Sequence, residues 1–417
     1  MDLPDELLIL ILVLLPIKSL SRFKCVCKHW LSVIQSREFV EQHGRLSETR
    51  ENNNSKLLCY RKDPTTKTHV ISILDRHTLK KLDDLEWPPF LDEEGVENVD
   101  WPPDETTFLR KIEIFGPVNG IYCIFRSLID KWVGTLTLWN PTTREYKHIR
   151  PQVFFPFSIH LLVSNDDHQQ TPESLNIGFG FDHTSNAYKV VVIYHWCDSN
   201  SGLNQHWQLT VYNHASDTWR TVYSLNCVDD PHPEFKHLDR HFPLLGSDPA
   251  ISHCLLNGVF HWACNRTYYE EGYNILTFDM STEVCHLING PLLPDERLYW
   301  SVSELKGNIA GIVTYYSEYP SIDEAEVWMM MEYGVANSWA KFFTVREGIG
   351  CISIGIPCDE WAFFYDWNGE LISARIDDDH CVEKHGVYGM IDSTYCGIWG
   401  SLRISKYVES LTTLKSV

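Results

Sequence analysis

No stretch of this sequence is apolar for long enough to cross a lipid bilayer as a helix. A spanning helix needs about 20 apolar residues, whereas the longest apolar run here covers nine, residues 7–15, and ends at Pro16. The residues before it, 1–6, contain no Lys or Arg, although a secretory signal has a basic segment there. The sequence therefore predicts a soluble intracellular protein of the cytoplasm, with the nucleus as a further location.

Paired cysteines and catalytic motifs are missing as well. The closest of the 13 cysteines are Cys25 and Cys27, and no two have CxxC spacing. This spacing excludes a zinc ribbon and argues against a disulfide framework. No GxSxG nucleophile motif is present. The sequence therefore predicts a protein that is not an enzyme and that holds no metal and no cofactor.

Two segments have only a superficial likeness to ligand sites. The sequence GFGFDH, residues 178–183, is rich in glycine, but a strand-like alternation follows it instead of the helix that a dinucleotide-binding loop requires. His232, His237 and His241 lie close together, but among Pro and Asp and without an HExxH arrangement. We interpret the first segment as part of a strand and the second as a solvated loop.

Positive charge is scarce, and the deficit is confined to one part of the chain. The net charge is −21, from 35 Lys and Arg against 56 Asp and Glu. Residues 1–44 contain five residues of each sign, so residues 45–417 carry the whole excess. A body this acidic repels nucleic acid and anionic membranes, and it attracts basic partners.

The first forty residues have the pattern of a small helical module. Pro4, Asp5 and Glu6 favour the start of a helix, and residues 7–15 are apolar on every side, which predicts burial all around. After Pro16, apolar residues recur at steps of three and four, as in further helices. A module of this size rarely folds alone. The apolar run therefore predicts a docking surface for another protein or, as the alternative, packing against the rest of the chain.

These residues resemble an F-box, a three-helix motif that binds a Skp-type adaptor of cullin-based ubiquitin ligases. The Leu-Pro opening of the motif matches Leu3-Pro4, its centre matches residues 15–23, and its close matches residues 26–30. The resemblance implies that the apolar run supplies both the adaptor-facing surface and the core of the module. It places the adaptor-binding residues at Leu3, Pro4, Leu8, Ile11, Leu12, Leu15, Pro16, Leu20, Phe23, Val26, Cys27 and Trp30.

Beyond residue 55 the hydrophobic period changes from 3.6 to 2, and one unit recurs. Each copy is an apolar strand that ends in Asn or Asp, followed by a polar turn and a second strand. In the four clear copies this residue is Asp75, Asn140, Asn213 or Asp279. Two fainter copies cover residues 327–343 and 371–387. Hairpin turns are predicted at three Asn-Gly pairs, Asn119-Gly120, Asn257-Gly258 and Asn368-Gly369.

Repeated antiparallel units of this kind predict a β-propeller of about six blades. Residues 400–414 predict strands that return to close the ring against the first blade. A pair of β-sandwiches is the alternative. The prediction is a mainly β protein, in which a small N-terminal α module, residues 1–44, precedes a propeller-like substrate-recognition domain, residues 45–417.

The repeats also resemble the F-box-associated domain of plant F-box proteins. The matching stretches are GPVNGIYCI (residues 116–124), LWNPTTREYKHI (138–149), NIGFGFDHTSNAYKVVVI (176–193) and LLNGVFHWAC (255–264). The ending RISKYVESLTTL (403–414) and the overall layout are similar to the pollen S-locus F-box group. That resemblance implies a substrate receptor of an SCF-type (Skp–cullin–F-box) ubiquitin ligase, which binds non-self S-RNases in pollen for ubiquitination and proteasomal degradation in self-incompatibility.

Residues 82–109 are unusually acidic, with ten carboxylates, no Lys or Arg and two Trp-Pro-Pro sequences. The prolines oppose both a helix and a central strand, so we predict a long loop. It is either a solvated acidic loop or a contact for a basic substrate such as an S-RNase, attracted by charge and anchored by aromatic burial. The second interpretation assigns substrate binding to Trp87, Phe90, Asp92, Glu93, Glu94, Glu97 and Trp101.

Two other functions are compatible with the sequence. One is a plant F-box receptor for a different substrate, in hormone or stress signalling. The other is a propeller enzyme or carbohydrate binder whose N-terminal helices match an F-box by coincidence, and carboxylates clustered around a central cavity would favour it. The partners expected from the first two functions are a Skp-type adaptor with its cullin–RING ligase and a protein substrate, with neither nucleic acid nor membrane.

Overall fold

In the computed structural model, four helices precede six four-stranded antiparallel β-sheets. It describes residues 4–51, 56–88, 110–128, 131–149, 174–197, 205–226, 253–264, 273–293, 298–315, 324–346, 351–366, 368–376, 382–389, 391–394, 397–400 and 402–414. The helices are α1 (Asp5–Leu12), α2 (Ile17–Phe23), α3 (Lys28–Gln35) and α4 (Arg37–Glu51). We call α1–α4 the helical module.

The predicted small helical module is confirmed, and it has a fourth helix, α4, beyond the three that the F-box resemblance implies. After α3, Ser36 has an extended backbone, and its hydroxyl accepts a hydrogen bond from the backbone N–H of Phe39. This is the bond of a helix N-cap. It starts α4, which runs past residue 44, the predicted end of the module.

The strands fall into six sheets in chain order. Blade 1 contains β1 (Lys56–Lys62), β2 (His69–Asp75) and β3 (Lys81–Leu85), and blade 2 contains β4 (Arg110–Val118), β5 (Ile121–Leu128), β6 (Lys131–Asn140) and β7 (Glu145–Ile149). Blade 3 contains β8 (Ser174–Asp182), β9 (Ala187–Cys197), β10 (Gln205–Asn213) and β11 (Thr218–Asn226). Blade 4 contains β12 (His253–Leu256), β13 (Val259–Cys264), β14 (Asn274–Asp279) and β15 (Cys285–Asn289).

The last two blades and the closing strand follow the same order. Blade 5 contains β16 (Leu298–Leu305), β17 (Asn308–Tyr315), β18 (Glu324–Met330) and β19 (Trp339–Arg346). Blade 6 contains β20 (Cys351–Cys358), β21 (Trp361–Asp366), β22 (Glu370–Arg375) and β23 (Val382–Tyr388). A hairpin of β24 (Ile391–Thr394) and β25 (Gly397–Gly400) precedes β26 (Arg403–Tyr407), which is the first strand of blade 1.

The six sheets form a closed propeller. The first strands of the blades contact one another in a ring, β26, β4, β8, β12, β16 and β20, and β20 contacts β26 again. β26 pairs antiparallel with β1, with Leu58 opposite Ser405, so strands from both ends of the sheet region share blade 1. The predicted six blades and the predicted ring closure are confirmed, and the β-sandwich alternative is wrong.

The recurring Asn or Asp holds the same turn in four blades. Each of the four side chains ends the third strand of its blade, and its oxygen accepts hydrogen bonds from the backbone N–H groups two and three residues later. At Asn140 the acceptor distances are 2.9 and 3.2 Å, to Thr142 and Thr143. These are Asx turns. The prediction that Asp75, Asn140, Asn213 and Asp279 occupy equivalent blade positions is therefore confirmed.

The middle strands of each blade are covered on both sides, because neighbouring blades pack against both surfaces of a sheet. In β21 every residue is buried, and the run from Val190 to Tyr194 in β9 is buried throughout. Such strands read as continuous apolar runs instead of alternating ones. The GFGFDH segment lies in β8 and the turn after it, and β9 follows, so its interpretation as part of a strand is confirmed.

The antiparallel order gives the propeller two distinct faces. In each of blades 2–6 the connections between first and second strands and between third and fourth strands lie on one face, which we call the module face. Connections between second and third strands, and between one blade and the next, leave from the opposite face, which we call the loop face. β1 is a second strand and begins at the module face, so α4, which precedes it, approaches the propeller from that side.

Candidate functional site

The apolar run near the N-terminus divides into an inner and an outer side. Leu8, Leu12 and Val13 are buried. They pack with residues of all the later helices, Ile17, Leu20, Ile34 and Phe39. The ring of Phe23 meets that of Trp30 edge to face, with centroids 5.2 Å apart. The inner side of the run is therefore the core of the helical module.

The outer side of the run is exposed. Leu7, Leu10, Ile11 and Leu14 are 51–54% exposed, and Val26 is 59% exposed. Soluble proteins keep large contiguous apolar patches away from water unless another molecule covers them. We call Leu7, Leu10, Ile11, Leu14 and Val26 the N-terminal patch. Exposed apolar side chains of this kind are typical of surfaces that bind another protein.

The structure divides the predicted adaptor-binding residues by exposure. Leu8, Leu12 and Leu20 are buried, Leu15, Phe23 and Trp30 are half-buried, and Pro4, Ile11, Pro16, Val26 and Cys27 are exposed. Leu3 lies outside the described residues. Three exposed members of the N-terminal patch, Leu7, Leu10 and Leu14, were missing from the prediction. Their signal was the spacing of three and four residues, which places them with Ile11 on one helix face.

The helical module sits on the propeller through a short C-terminal segment. Residues 408–414, which we call the strap, follow β26 and have no helix or strand structure. Leu411 of the strap is 4% exposed and packs in the core of the helical module. The inner side of the apolar run thus packs partly against the chain's own body, while the N-terminal patch does not.

The strap is hydrogen-bonded to blades 2 and 3. Nδ2 of Asn140 donates to the carbonyls of Ser410 and Thr412, at 3.1 and 2.8 Å. The backbone N–H of Leu414 donates to Oε2 of Glu145 at 3.1 Å, and Nε2 of His214 lies 3.2 Å from the carbonyl of Leu414. All three propeller side chains lie at the module face.

Electrostatics also connect the helical module with blade 2. Burial lowers the pKa of Lys24, at the end of α2, and the carboxylate of Glu145 acts in the opposite direction. A carboxylate raises the pKa of an ammonium group only at short range. Glu145 thus accepts a hydrogen bond from the strap and also acts by its charge on the helical module.

The longest connections of the propeller leave from the loop face. Residues 86–109, 150–173 and 227–252 join consecutive blades, and the strands on either side of each connection end or begin at that face. The helical module and the strap are on the opposite side. The helical module and the strand ends that flank the longest connections thus lie on opposite sides of the propeller.

Only one of the predicted substrate contacts is described by the structure. Trp87 follows β3, is half-buried, and its ring stacks on His69 with centroids 5.3 Å apart. The ring of His69 in turn stacks on the ring of Tyr60, and Nδ1 of His69 is hydrogen-bonded to the hydroxyl of Tyr60. Phe90, Asp92, Glu93, Glu94, Glu97 and Trp101 lie outside the described residues, as do His232, His237 and His241.

A cavity of about 190 Å³ lies on the propeller axis and is lined by residues of all six first strands. Glu304 is the one carboxylate among the described residues that line it. The described part of the chain contains no group of His, Cys, Asp and Glu side chains able to hold a metal ion. The clustered carboxylates that would favour a propeller enzyme or carbohydrate binder are therefore not found among these lining residues.

Within the described residues, no helix is long and apolar enough to cross a membrane. Among the cysteines whose side chains the structure describes, Cys25, Cys27, Cys59, Cys123, Cys254, Cys264, Cys285 and Cys358 are free thiols, and those at positions 59, 123, 264, 285 and 358 are buried. Burial raises the pKa of Cys59 to about 12, which keeps this thiol protonated and inert at neutral pH.

Comparison with known proteins gives two family matches, one to the helical module and one to most of the propeller. A model of the F-box associated beta propeller domain matches residues 110–414, and a model of the F-box domain matches residues 1–42. An F-box/kelch-repeat protein of Arabidopsis thaliana is 26% identical over 347 residues, which cover 82% of this chain and 79% of the relative. F-box protein CPR1 of the same plant is 24% identical, with 80% of this chain and 70% of the relative covered.

The solved structures similar to this chain are distant from it in sequence. TolB from Acinetobacter baumannii matches with a TM-score of 0.42 and 8% identity, over 89% of this chain and 73% of that chain. The Aleuria aurantia lectin matches with a TM-score of 0.39 and 8% identity, over 81% of this chain and 96% of that chain.

Proposed function

The chain belongs to the family of F-box proteins with an F-box associated beta propeller domain, and from this premise we propose that it captures non-self S-RNases in pollen. Membership of the family makes it a plant substrate-recognition subunit of an SCF-type ubiquitin ligase, a non-catalytic receptor that binds a Skp-type adaptor. The proposed outcome is ubiquitination and proteasomal degradation of the S-RNase, in self-incompatibility. We place the protein in the cytoplasm, with the nucleus as a further location.

The N-terminal patch is the surface that we assign to the adaptor. Its five side chains are more than half exposed, although each is apolar, and full burial of one such side chain contributes roughly 1.5–3 kcal/mol. The buried residues Leu8, Leu12 and Leu20 then act indirectly, because they hold α1 in place. This exposed patch, on the side of the propeller away from the longest loops, is the observation that carries the proposed receptor role.

We assign the substrate to the loop face. The acidic residues 82–109 include the connection between blades 1 and 2, which leaves from that face. The body of the protein carries the whole net charge of −21. A basic protein would be attracted by this charge over the distances at which salt does not yet screen it. The proposal of an S-RNase rests on this charge and on the resemblance of the sequence to the pollen S-locus group.

The receptor would accelerate ubiquitin transfer by proximity. The substrate is held on the loop face and the adaptor on the helical module, so a substrate lysine is kept near the ubiquitin-charged enzyme of the ligase. Holding two reactants together turns a bimolecular encounter into an effectively unimolecular step. No side chain of this chain has to take part in bond formation.

Affinity purification of the tagged protein from pollen tests the proposal. We expect the adaptor, the cullin and S-RNases of other haplotypes to be recovered. A Leu10→Asp, Leu14→Asp variant, used as the control, should lose the adaptor and the cullin but keep the S-RNase. Recovery of the adaptor and cullin with a different protein on the propeller would instead support the alternative receptor, in hormone or stress signalling.

A further inference from the structure

We propose that the strap is a positioning element, which fixes the helical module on the propeller and so sets the direction of the N-terminal patch relative to the loop face. The inference rests on the receptor function above, because a protein that must hold two partners in a productive arrangement needs its two surfaces fixed. The strap contributes a core residue to the helical module while its backbone is bonded to the propeller.

Leu411 is shared between the two parts of the chain. Its side chain packs with Leu8, Leu12 and Phe39 in the core of the helical module and is 4% exposed. A four-helix module of fewer than fifty residues has a small core, so one large aliphatic side chain is a substantial part of it. The module cannot move away from the strap without exposing Leu411 and opening its own core.

Asn140 clamps the strap on both sides of Leu411. Its amide group is fully buried and donates to the carbonyls of Ser410 and Thr412, the two neighbours of Leu411 in sequence. Its carbonyl oxygen meanwhile accepts the two hydrogen bonds of the Asx turn. At the equivalent positions Asp75 and Asp279 hold the same turn with a carboxylate. The turn therefore accepts either residue, and only the strap requires the amide.

Further contacts fix the ends of the strap. Glu409 forms an ion pair with Lys56 at 3.1 Å, at the start of β1. At the other end, Leu414 is buried in the core shared by blades 2, 3 and 4 and donates its N–H to Glu145. With both ends anchored, Leu411 is held at one place above the module face, and the helical module is held with it.

Replacement of Asn140 by Asp removes the hydrogen bonds to the strap and keeps those of the turn. Asn140→Asp keeps the acceptor for the turn but places a carboxylate against two carbonyls. Asn213→Asp is the matched control, because Asn213 holds the equivalent turn in blade 3 and the change in charge is the same. Two lost hydrogen bonds lower the ratio of seated to released module about thirty-fold, which is equivalent to about 2 kcal/mol.

The experiment uses the full chain bound to a Skp-type adaptor. Carbodiimide joins an amine to a neighbouring carboxylate, and the readout is its coupling of Lys24 to Glu145, the carboxylate whose charge acts on Lys24 when the module is seated. The amount of coupling in the wild type is the reference for the variants. In a ligase reconstituted with cullin, RING protein and ubiquitin, mass spectrometry also maps which lysines of the receptor itself are modified. We expect Asn140→Asp to lose most of the Lys24–Glu145 coupling and to show modification at additional lysines, while Asn213→Asp matches the wild type.

Two further variants keep the test decisive if Asn140→Asp fails to fold. Leu411→Ala should also lose the coupling, and Leu14→Asp, in the N-terminal patch, should lose adaptor binding while the free chain keeps the coupling. Unchanged coupling and an unchanged lysine pattern in both Asn140→Asp and Leu411→Ala would overturn the inference. If the wild type failed to bind the adaptor, the receptor function would fail instead, whatever the coupling showed.

Discussion

Gly120 and Gly258 occupy the same position in equivalent hairpin turns of blades 2 and 4, but only Gly120 lies beneath the strap. Their φ angles are +75° and +78°. A Cβ atom on Gly120 would collide with the Cβ of Ser410 and lie 2.9 Å from the carbonyl oxygen of Val408, whereas a Cβ on Gly258 would have nothing within 4 Å. The two glycines share a backbone requirement and differ in their neighbours.

This pair predicts the effect of the strap on stability. Gly258→Ala should cost about 1–2 kcal/mol, because a left-handed conformation is unfavourable for alanine. Gly120→Ala should cost the same plus about 1–3 kcal/mol for the collision, and it should loosen the strap. Urea unfolding gives the two free energies, and Lys24–Glu145 coupling gives the position of the helical module. Equal unfolding free energies in the two variants would contradict the prediction.

Charge in the N-terminal patch should abolish adaptor binding. Leu10→Asp with Leu14→Asp places two carboxylates where roughly 1.5–3 kcal/mol of burial per leucine is expected, so the affinity should fall at least about a hundredfold. Leu82→Asp is the matched control, since Leu82 on β3 is 53% exposed, like the patch leucines. Titration calorimetry with the purified adaptor measures both. If the double variant bound the adaptor with the affinity of the wild type, the N-terminal patch would not be part of the adaptor-binding surface.

The buried ion cluster between blades 3 and 4 should be essential for stability. Nζ of Lys189 lies 2.8 Å from both Asp182 and Glu283, and these three side chains are almost fully buried. Burial opposes a low pKa of Asp182, but the hydrogen bonds from Lys189, from Ser185 and from the backbone N–H of Thr184 together outweigh it, and the pKa is lowered. Lys189→Met would remove the buried cation of the cluster and leave Asp182 without this ion pair and Glu283 with the exposed Arg220 as its partner, at a cost of about 3–5 kcal/mol.

Arg220 provides the comparison for that cluster. It also pairs with Glu283, but its side chain is 60% exposed, and exposed pairs contribute about 0–1 kcal/mol. Arg220→Met should therefore change the free energy of unfolding little. Denaturant unfolding at neutral pH measures the free energy of unfolding of Lys189→Met and of Arg220→Met. A similar decrease in both variants would show that the cluster depends on Glu283 rather than on Lys189.

Stability should fall in mildly acidic solution because of His261. This side chain is fully buried in β13, its Nε2 lies 2.9 Å from the hydroxyl of Tyr333, and burial lowers its pKa from 6.5 to about 4. Above pH 6.5 the imidazole is neutral in both states. Between pH 6.5 and 4 the unfolded chain binds a proton that the folded chain does not, which costs up to about 3 kcal/mol.

A His261→Gln variant should lose that part of the pH dependence. Burial also lowers the pKa of His214 and of His385, so a smaller slope of the same sign should persist in the variant. The measurement is the free energy of unfolding in urea from pH 7.5 to pH 4.5. An identical slope in the variant and the wild type would mean that His261 is not the group responsible.

The acidic connection between blades 1 and 2 should accelerate the capture of a basic substrate. Salt screens long-range attraction over a Debye length of about 8 Å at physiological ionic strength. The association rate should therefore fall with salt much more than the dissociation rate rises. Neutralising Asp92, Glu93, Glu94 and Glu97 should slow association with a non-self S-RNase and leave adaptor binding unchanged.

The control for this loop neutralises four carboxylates on the module face. Asp217, Glu332, Asp359 and Glu360 lie in connections on that side, and their removal changes the net charge by the same amount. Surface plasmon resonance at several salt concentrations compares the rates. If neither added salt nor neutralisation of the four loop carboxylates changed the association rate, the acidic loop would not be part of the substrate site. Charge attracts every basic S-RNase alike, so discrimination between them must come from shape and short-range pairing.

The propeller could be predicted from the sequence because its turns are local. An Asn or Asp side chain accepts hydrogen bonds from backbone groups two and three residues away. The same turn in several blades therefore requires Asn or Asp at equivalent positions, which are Asp75, Asn140, Asn213 and Asp279. Asn119 and Asn257 likewise have positive φ angles, followed by glycines with positive φ, as two-residue hairpins require. Such signals are complete within four residues and need no knowledge of the rest of the fold.

The position of the helical module on the propeller could not be predicted, because it depends on contacts between residues that are distant in sequence. Residues 408–414 include both apolar and polar residues and contain two leucines, Leu411 and Leu414. No local pattern indicates that the side chain of Leu411 completes a core built from residues 8–39. The second role of Asn140 is hidden for a similar reason, because its Asx turn already accounts for the residue type. The split of the apolar run also depends on which helix face the later helices cover.

The closure of the ring by β26 and β1 has a consequence for the order of events during synthesis. Blades 2 to 6 each consist of strands that are consecutive along the chain, so each can pair as soon as it has been translated. Blade 1 and the seat for Leu8 and Leu12 must wait for residues 403–414, which are made after every other strand. A nascent receptor therefore contains its N-terminal patch before the position of that patch is set, and a message cut short before residue 403 would yield neither a closed propeller nor the Leu411 side chain that completes the core of the helical module.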